Sequence, residues 1–366
     1  MPGDQAVSDR EAKVLKIIET ARGKRPRFKG DHVTMAHGAG GKATQTLIEG
    51  LLLPALGSEE GALAELGDSG VVRIDGLGLA MSTDSFVVKP LRFPGGSIGE
   101  LAVNGTVNDL AMAGAKPAAL SLSLILEEGL PADVLREEVE AIAAAAEKAE
   151  VEVITGDTKV VERGACDGMY ICTAGVGKLD ERASLATGSL QPGDRIIVSG
   201  SLGDHGTAIM LARGEFELES SVSSDTRSLW PAADALMGAA GSGLRCMRDA
   251  TRGGAASALN ELARASNVAM IVREGDVPVA PAVGGAAEML GIDPMYIANE
   301  GKFVAFVAPE DADAALDALR AVEGCEEAVE IGEVKTEPPG MVLVETAFGG
   351  KRVMDMLAGD PLPRIC

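Results

Sequence analysis

The chain has 366 residues, of which 46% are hydrophobic and 24% are charged, a composition typical of a globular protein with buried cores. Against 55 Asp and Glu residues stand only 33 Lys and Arg residues, so the net charge is -22. Because such a charge repels phosphate backbones and anionic lipid headgroups, we expect no nucleic-acid partner and no membrane partner. Residues 1–10 are polar and no apolar run reaches membrane-spanning length, so we expect a cytoplasmic protein.

Cysteine and histidine usage excludes several kinds of site. The five cysteines are widely spaced and include no Cys-x-x-Cys pair, which argues against a disulfide framework and a thiolate zinc site. With only three histidines, a His-rich metal site is also excluded. Four of the cysteines are expected to be small buried side chains. The fifth, Cys366, is the last residue and follows two prolines that favour an extended backbone, so we expect a thiol on a flexible arm.

The predicted elements are of mixed α/β type. Residues 1–34 form a polar extension with a basic patch, which we expect to be solvated. A helix is predicted over residues 132–150, with Pro131 at its first position. Apolar runs of strand length recur along the chain, at residues 79–82, 119–126, 151–155, 169–173, 195–199, 302–307 and 341–345.

Glycine and proline interrupt this periodicity between residues 178 and 194, shortly before a new strand. We place a domain boundary there. The predicted organisation is a first domain over residues 35–188, a second over residues 189–348 and a flexible tail over residues 349–366.

A glycine-rich segment, His-Gly-Ala-Gly-Gly-Lys over residues 37–42, precedes a helical pattern. Its backbone amides could face an anion at a helix start, which makes Gly38, Gly40 and Gly41 candidate nucleotide-binding residues. The segment is not a Walker A loop, because Ala36 stands where the first glycine is required. It does match the dinucleotide fingerprint Gly-x-Gly-x-x-Ala, but that match alone is weak and a plain glycine turn is the favoured explanation.

Five aspartates lie beside small residues, each interpreted as standing at the end of a strand-like run. Carboxylate oxygens in such positions suit a Mg²⁺ ion that bridges nucleotide phosphates. Any one of them could be an ordinary turn or N-cap residue, but five in similar surroundings favour a metal site. The candidate metal ligands are Asp68, Asp84, Asp109, Asp157 and Asp249.

Two further residues complete a candidate reaction centre. Lys159 lies two positions beyond Asp157, in a predicted loop that would point at the same phosphates. Glu300 precedes a strand, where a glutamate is usually solvated, but in a closed cleft a desolvated carboxylate gains basicity and serves as a general base. His205, in Gly-Asp-His-Gly, is interpreted as closing a turn.

Together these segments resemble the HypE family of hydrogenase maturation factors. That family belongs to the superfamily of aminoimidazole ribonucleotide synthetase, selenophosphate synthetase and thiamine-monophosphate kinase. The resemblance runs from residue 35 to Cys366. It rests on residues 35–42, 83–85, 89–109, 155–161, 199–206 and 298–302 and on the closing Pro-Arg-Ile-Cys.

The resemblance implies a two-domain, aminoimidazole-ribonucleotide-synthetase-like fold of mixed α/β class. The N-terminal domain is expected to bind ATP and to form a dimeric β-barrel with a second copy, so that the protein is a homodimer. A flexible C-terminal tail would carry Cys366. The nucleotide-binding residues implied are Gly38, Gly40, Gly41, Asp84, Asn108, Asp109, Asp157 and Thr158.

The implied activity is an ATP- and Mg²⁺-dependent dehydration. Cys366 would accept a carbamoyl group from HypF, and the resulting thiocarboxamide would become a thiocyanate that is passed to a HypC–HypD complex for the iron of [NiFe]-hydrogenase. Lys159 would neutralise charge on the transferred phosphoryl group, and Glu300 would remove the N–H proton, with Lys159 as the alternative base.

Two other functions remain open from the sequence. One is a related ATP-dependent kinase or synthetase that acts on a free small molecule. The other is a nucleotide-binding scaffold whose terminal cysteine binds iron or a partner thiol. Only the dehydratase needs Cys366 as a substrate carrier, so the tail discriminates among the three.

Overall fold

The computed structural model describes residue 28 and residues 31–56, 66–214, 222–357, 359 and 365–366. Most of the predicted basic extension, and residues 360–364 of the tail, lie outside this part of the chain. Within it, no helix is both long and apolar enough to cross a bilayer. The described elements form two sheets, a two-stranded ribbon and the helices that cover them.

The first sheet has five strands in the order β1-β2-β7-β5-β6. All its neighbouring strands are antiparallel except β5 and β6, which are parallel. Among the described strands, both β1 and β6 are edges, so this part of the chain forms an open sheet and does not close the predicted barrel by itself. The strands are β1 (Gly70–Ile74), β2 (Leu77–Phe86), β5 (Ala115–Glu127), β6 (Glu152–Val161) and β7 (Met169–Leu179). The separate ribbon consists of β3 (Arg92–Phe93) and β4 (Gly96–Ser97).

Three helical segments accompany this sheet. Helix α1 (Lys42–Leu47) follows the glycine-rich segment and continues as a π-helical turn over Ile48–Leu52 and a last turn over Leu53–Ala55. Helix α2 (Ile98–Met112) packs on β2, β5 and β7. Helix α3 (Ala132–Lys148) is the crossover that a parallel β5–β6 pair requires.

Helix α2 corrects one prediction and α3 refines another. Asn108 and Asp109 lie inside α2, so the prediction that Asp109 ends a strand is wrong. The cause is burial on nearly all sides, which removes the polar face by which an amphipathic helix is recognised. Small residues permit this packing: a Cβ at Gly105 would meet the ring of Phe86 at 2.8 Å. Pro131 is the residue before the first helical residue of α3 rather than within it.

The second sheet has seven strands in the order β14-β13-β10-β12-β8-β11-β9. Its strands are β8 (Arg195–Val198), β9 (Leu244–Asp249), β10 (Ala269–Arg273), β11 (Phe303–Val307), β12 (Val329–Lys335), β13 (Met341–Glu345) and β14 (Lys351–Met354). Its helices are α4 (Asp204–Ala212), α5 (Trp230–Ala240), α6 (Gly254–Ala265), α7 (Pro281–Leu290) and α8 (Ala312–Arg320). Short 3-10 turns occur at Met35–Gly38, Gly241–Gly243, Glu274–Asp276 and Pro294–Tyr296.

Hydrophobic clusters fill both faces of the second sheet and the inner face of the first. One includes α6, another includes α5 and α8, and the cluster of the first sheet packs β2, β7 and α2 together. That last cluster also takes in Ile209 of α4, Ala298 before β11 and Ile365 of the tail. The two halves of the chain, and the end of the tail, therefore meet at one seam.

All seven predicted strand segments fall in strands of the structure, namely β2, β5, β6, β7, β8, β11 and β13. The sequence prediction lacks β1, β9, β10, β12 and β14 and the two-residue strands β3 and β4. Strand length alone does not explain this, because β12, with seven residues, was missed and β8, with four, was predicted.

Candidate active site

Three aspartates from separate elements meet at the seam. Asp68 precedes β1, Asp109 lies on α2 and Asp249 is the last residue of β9. One carboxylate oxygen from each lies within 4.8 Å of the others. The Ser82 hydroxyl donates to Asp109, and a guanidinium nitrogen of Arg248 lies 2.8 Å from Asp68.

We call Asp68, Asp109 and Asp249 the acid cluster. Burial and mutual repulsion destabilise uncompensated negative charge on these three carboxylates. Burial raises the pKa of Asp68 to about 8, although the guanidinium of Arg248 opposes the shift. Burial, together with nearby Asp84, raises the pKa of Asp249 to about 6 and that of Asp109 well above its usual range. A hard divalent cation would relieve the repulsion, and three carboxylate oxygens are the donors it prefers. The donor set therefore fits Mg²⁺.

Asp84 lies on β2 beside the acid cluster, outside the group of three oxygens. Its carboxylate accepts a hydrogen bond of 2.9 Å from the hydroxyl of Thr106, and burial raises its pKa. It lines the same cleft as Asp109 and Asp249.

The end of the tail enters this cleft. Cys366 lines a space of about 160 Å³ together with the acid cluster, Glu300 and Arg252. Burial raises the pKa of the Cys366 thiol to about 12; Arg252 opposes that rise and the surrounding carboxylates add to it. A docked, unmodified Cys366 is therefore a neutral thiol at physiological pH.

Glu300 is buried at the wall of the cleft, 3% exposed, contrary to the usual behaviour of a glutamate before a strand. Burial, with Asp249, Asp225 and Asp84 nearby, raises its pKa well above the ordinary value. Its backbone N–H donates to Asp225 at 3.0 Å, and its carbonyl accepts a hydrogen bond of 3.0 Å from the Asn108 amide. These contacts hold the backbone of Glu300 firmly in place.

Arg252 supplies the positive charge of the cleft and was missed from the sequence. Among the described residues that line the cleft, it is the only Lys or Arg. Its pKa is raised by its electrostatic interactions with Cys366 first, and then with Asp84 and Glu300. The signal was present, because Arg252 belongs to the Arg-Asp-Ala-Thr-Arg-Gly-Gly segment that contains Asp249.

A larger cavity of about 560 Å³ adjoins the cleft. Asp68 and Arg252 line both spaces, so the acid cluster lies where they join. Its size is that of a small-molecule or cofactor site. Its wall includes Gly40, Gly41, Arg248 and the first turns of α1.

The glycine-rich segment borders this cavity but does not match a dinucleotide fold. Within residues 31–56 no strand precedes it, and a strand–turn–helix unit is what the fingerprint requires. Its glycines instead permit close approach: a Cβ at Gly40 would meet the Arg252 carbonyl at 2.6 Å, and one at Gly41 would meet the Leu357 carbonyl at 2.6 Å.

Comparison with known proteins places this architecture in a family. Residues 66–179 match the AIR synthase related protein N-terminal domain, and residues 191–344 match the corresponding C-terminal domain. The carbamoyl dehydratase HypE of Bradyrhizobium diazoefficiens is 48% identical over 334 residues, which cover 91% of this chain and 96% of that protein.

Solved structures agree. A HypE–HypF complex has a TM-score of 0.80 at 40% identity and covers 85% of this chain and 99% of that one. HypE in complex with ATP has a TM-score of 0.76 at 43% identity, covering 92% and 100%. The chain belongs to the HypE family.

Not every residue implied by the HypE resemblance lies at the cleft. Asp157, Thr158 and Lys159 lie within strand β6 rather than in a loop, so the loop prediction is wrong. Lys159 and Asp157 pair with each other at 2.5 Å and are about two-thirds exposed. Their roles in metal or nucleotide binding stay predictions.

Strand register separates this pair from the acid cluster. Asp84 faces α2, and it pairs through Thr173 and Leu122 with Gly156. The neighbouring row, through Ser85, Cys172 and Ser123 to Asp157, points to the opposite face because side chains alternate along a strand. Three strand spacings, roughly 14 Å in all, also lie between β2 and β6. Asp157 and Lys159 therefore do not reach the cleft of their own chain.

Asn108, implied as a nucleotide ligand in HypE-like proteins, makes its described contacts with the backbone. Its amide nitrogen donates to the carbonyls of Arg227 and Glu300, and its oxygen accepts from the N–H of Leu229 at 2.7 Å. The structure thus gives it a part in holding Glu300, and a direct nucleotide contact stays a prediction.

The interpretation of His205 as a turn residue is wrong. It is fully buried in the first turn of α4, and its Nε2 lies 2.7 Å from the carbonyl oxygen of Ile365. No periodicity predicts a contact across 160 positions of sequence.

Proposed function

We propose that this protein converts a carbamoyl group, carried as a thiocarboxamide on Cys366, into a thiocyanate in an ATP-dependent reaction that releases ADP and phosphate. The observation that carries the proposal is the place of Cys366 in the same cleft as the acid cluster and Glu300. A kinase of a free small molecule has no use for its own terminal sulfur there. The carbamoyl dehydratase activity by which the HypE relatives are named supports the same reaction.

Loading of Cys366 would take place elsewhere. The thiolate is the nucleophile in acyl transfer, and a thiol whose pKa is about 12 stays protonated. The tail would therefore leave the cleft to be carbamoylated by HypF, as the HypE–HypF complex among its structural relatives suggests. A carbamoylated sulfur carries no charge, so its return to the cleft meets none of the desolvation cost of a thiolate. Lys351–Met354 form strand β14 of the second sheet, so the prediction of a flexible arm over residues 349–366 is wrong for that segment, and we propose movement only for residues that follow it.

The larger cavity is the proposed ATP site, with Gly40 and Gly41 in its wall, Gly38 in the same glycine-rich segment, and the phosphates directed to its junction with the cleft. A relative solved with ATP supports nucleotide binding. Asp68, Asp109 and Asp249 would hold Mg²⁺, with Asp84 adjacent. When bound, Mg²⁺ would offset charge on the phosphates.

The reaction balances as two bond exchanges. The carbamoyl oxygen attacks the terminal phosphoryl group of ATP, so an O–P bond forms, the bond to ADP breaks and oxygen becomes part of a good leaving group. Loss of the nitrogen's protons then lets the C–O bond break and the carbon–nitrogen triple bond form, with phosphate departing. Arg252 lies where it would offset the charge that develops on the phosphate.

Glu300 is the proposed general base. Its raised pKa makes its carboxylate a stronger base than an ordinary glutamate, and the nearby Arg252 favours the ionised form that accepts a proton. Its backbone contacts with Asp225 and Asn108 hold it at the wall, so the sulfur carrier and the base approach in a fixed geometry.

A homodimer with a shared β-barrel is proposed for the first sheet. The outer face of this sheet exposes apolar side chains, including Val72, Ile74 and Met81, which are 51%, 56% and 59% exposed. Contact with a second copy would bury them. Asp157 and Lys159 lie on that same face. We propose that they act on phosphates bound to the partner chain, where Lys159 adds positive charge.

The product would pass to a HypC–HypD complex as the source of the cyanide ligand for the iron of [NiFe]-hydrogenase, within the cytoplasm. The strongly negative net charge of -22 favours protein and small-molecule partners over nucleic acid.

Intact-mass spectrometry tests the reaction. Incubation with the carbamoyltransferase, carbamoyl phosphate and ATP should produce a carbamoyl adduct on Cys366 that then loses the mass of one water. Loss of water should require ATP, which is tested on protein that carries the adduct, is freed of the transferase and of nucleotide, and is then incubated with or without ATP. An adduct that persists with ATP and Mg²⁺ on a folded protein rejects the proposal.

Matched variants locate the chemistry. Cys366→Ser should show no adduct, and Cys172→Ser should behave as the wild type. Glu300→Gln removes the base while keeping size and polarity, so loading should continue and water loss should stop. If Glu300→Gln loses water at the wild-type rate, the base lies elsewhere.

A further inference from the structure

The tail holds its place in the cleft through the residue before the cysteine. Ile365 is 6% exposed and belongs to the hydrophobic cluster of the first sheet, with Phe93 of β3, Ile209 of α4 and Ala298 among its members. These three residues come from widely separated parts of the sequence. We call the part of this cluster that holds Ile365 the isoleucine pocket.

His205 supplies a polar contact to the same residue. The carbonyl of Ile365 can only accept, so the Nε2 atom of His205, 2.7 Å away, must carry the proton that is donated. Nδ1 then accepts from the Ser224 hydroxyl at 2.8 Å, while the Ser224 oxygen accepts from the N–H of Thr226 at 3.2 Å. This chain of hydrogen bonds fixes one tautomer of the imidazole.

The ring of His205 is also fixed by packing. It stands edge-on to the ring of Phe93, with centroids 5.6 Å apart and planes at 87°. The N–H of Ser224 donates to the carbonyl of Pro94 at 2.7 Å, so the loop that orients His205 is tied to the ribbon that contains Phe93. A buried donor directed at a tail carbonyl is therefore built into the seam.

We propose that the isoleucine pocket and His205 form a docking site for the penultimate residue of the tail, and that His205 is a positioning residue that sets the register of Cys366 in the cleft. In an extended chain, a slip of one residue moves the backbone by about 3.3 Å and turns the side chain to the other side. A fixed Ile365 side chain and carbonyl exclude that slip. The docking stands on these contacts alone; its consequence for dehydration rests on the proposed function.

Alkylation of Cys366 measures docking without any need for catalysis. A docked thiol is half-buried in the cleft, so iodoacetamide should label it slowly, and release of the tail should speed labelling. Ile365→Asn should accelerate it by roughly ten- to a hundredfold, since burial of an isoleucine side chain is lost. Ile365→Val should change it only a few-fold, because most of the buried surface remains. Cys366→Ser gives the background from the other four cysteines.

A pair of His205 variants isolates the hydrogen bond. His205→Phe keeps an aromatic ring against Phe93 but has no donor, and should speed labelling by about fivefold. His205→Gln carries an N–H near the Nε2 position and should bring the rate back towards that of the wild type. Circular dichroism and thermal unfolding establish that each variant is folded. If a His205 variant is unfolded, the Ile365 variants decide the question, because Ile365 is only one residue from the last residue and is unlike His205 in not belonging to a helix.

The register is tested by single-turnover dehydration of preloaded protein. Insertion of one glycine between Ile365 and Cys366 keeps the anchor and moves the sulfur, so water loss should fall while carbamoyl loading continues. His205→Phe should slow water loss more than it slows loading, and His205→Gln should restore it.

Equal labelling rates in wild type, Ile365→Asn and His205→Phe would overturn the docking site. Unchanged water loss in the glycine-insertion variant would overturn its role in register. If the wild type shows slow labelling that these substitutions accelerate, yet never loses water, docking stands and the proposed dehydration fails. The two proposals therefore fail separately.

Discussion

The acid cluster and the Asp157–Lys159 pair have similar sequence signals and opposite environments. Asp68, Asp109 and Asp249 converge in a largely buried space, and burial raises the pKa of each. The side chain of Asp157 is 61% exposed, and the hydrogen bond from Lys159 lowers its pKa. The first site is assembled by one chain, whereas the second lies on an open sheet face.

The difference teaches that the environment, rather than the residue type, decides what a carboxylate can do. Buried, mutually repelling carboxylates store a free energy that a cation releases, so they are prepared for a metal. An exposed carboxylate paired with its neighbour has no such stored energy. Its function would have to come from a surface that covers it.

The largest effect is expected from removing a charge in the acid cluster. Asp109→Asn should slow ATP-dependent water loss from carbamoylated Cys366 by roughly a thousandfold, because the proposed metal loses a ligand where phosphoryl charge develops. The same change should stabilise the metal-free protein by roughly 1–3 kcal/mol, since a buried carboxylate becomes a neutral amide. Single-turnover mass spectrometry and thermal unfolding with a chelator measure the two effects.

Asp157→Asn is the matched control for stability. Because Asp157 is exposed, it should change the unfolding temperature little. A metal-free Asp109→Asn protein that is less stable than the wild type would contradict the idea of stored repulsion.

Arg252 should give the next largest effect. Arg252→Gln should slow water loss by about a hundredfold, since an uncharged amide cannot offset the developing charge on phosphate. Arg252→Lys keeps the charge and should recover part of the rate. Arg248→Lys changes the cation paired with Asp68 and tests whether loss of any nearby guanidinium has the same effect. If Arg252→Gln proves as active as the wild type, the cleft needs no cation from this position.

Complementation between two inactive variants tests whether Lys159 acts on the site of the partner chain. Lys159→Ala and Glu300→Gln should each be nearly inactive alone. When the two variants are mixed and allowed to exchange chains, half of the dimers are mixed, and each has one intact site if Lys159 acts on the partner; roughly a quarter of wild-type activity should return. No recovery after exchange, shown by tagged chains to be complete, would place Lys159 in its own chain's site or outside catalysis.

The smallest effect is a pH dependence of stability. An aspartate whose folded pKa is raised binds a proton in the folded state that the unfolded state has already lost, so its stabilising effect is lost as pH rises from about 4 towards the folded value. With Asp249 at about 6 and Asp68 at about 8, the metal-free protein should unfold a few degrees lower, about 5 °C, at pH 8 than at pH 6. Mg²⁺ should raise the unfolding temperature more at pH 8. An equal response at both pH values would contradict the shifted titrations.

Much of the site could be predicted from the sequence, because chemistry restricts the residue types. Carboxylates in small-residue segments indicated Asp68, Asp109 and Asp249 as metal ligands, and the structure brings those three together. The element that holds Asp109 was predicted wrongly, because a helix buried on nearly all sides shows no alternation of polar and apolar faces in its sequence.

The sequence could not show to which face of a sheet a side chain points or which distant residues it contacts. Asp157 and Asp84 have similar neighbours in sequence, and only strand register shows that they point to opposite faces of one sheet. Likewise, the contact between His205 and Ile365 joins residues 160 positions apart. Such contacts arise from packing of the whole chain, which local patterns do not specify.

The high pKa of the docked thiol has a consequence for the empty protein. At neutral pH a thiol whose pKa is raised this far by burial is almost entirely protonated. Peroxide and disulfides react with the thiolate, so a tail at rest in the cleft is shielded from oxidation by its protonation state as well as by the walls around it. The cleft thus also preserves the unloaded carrier between rounds of use.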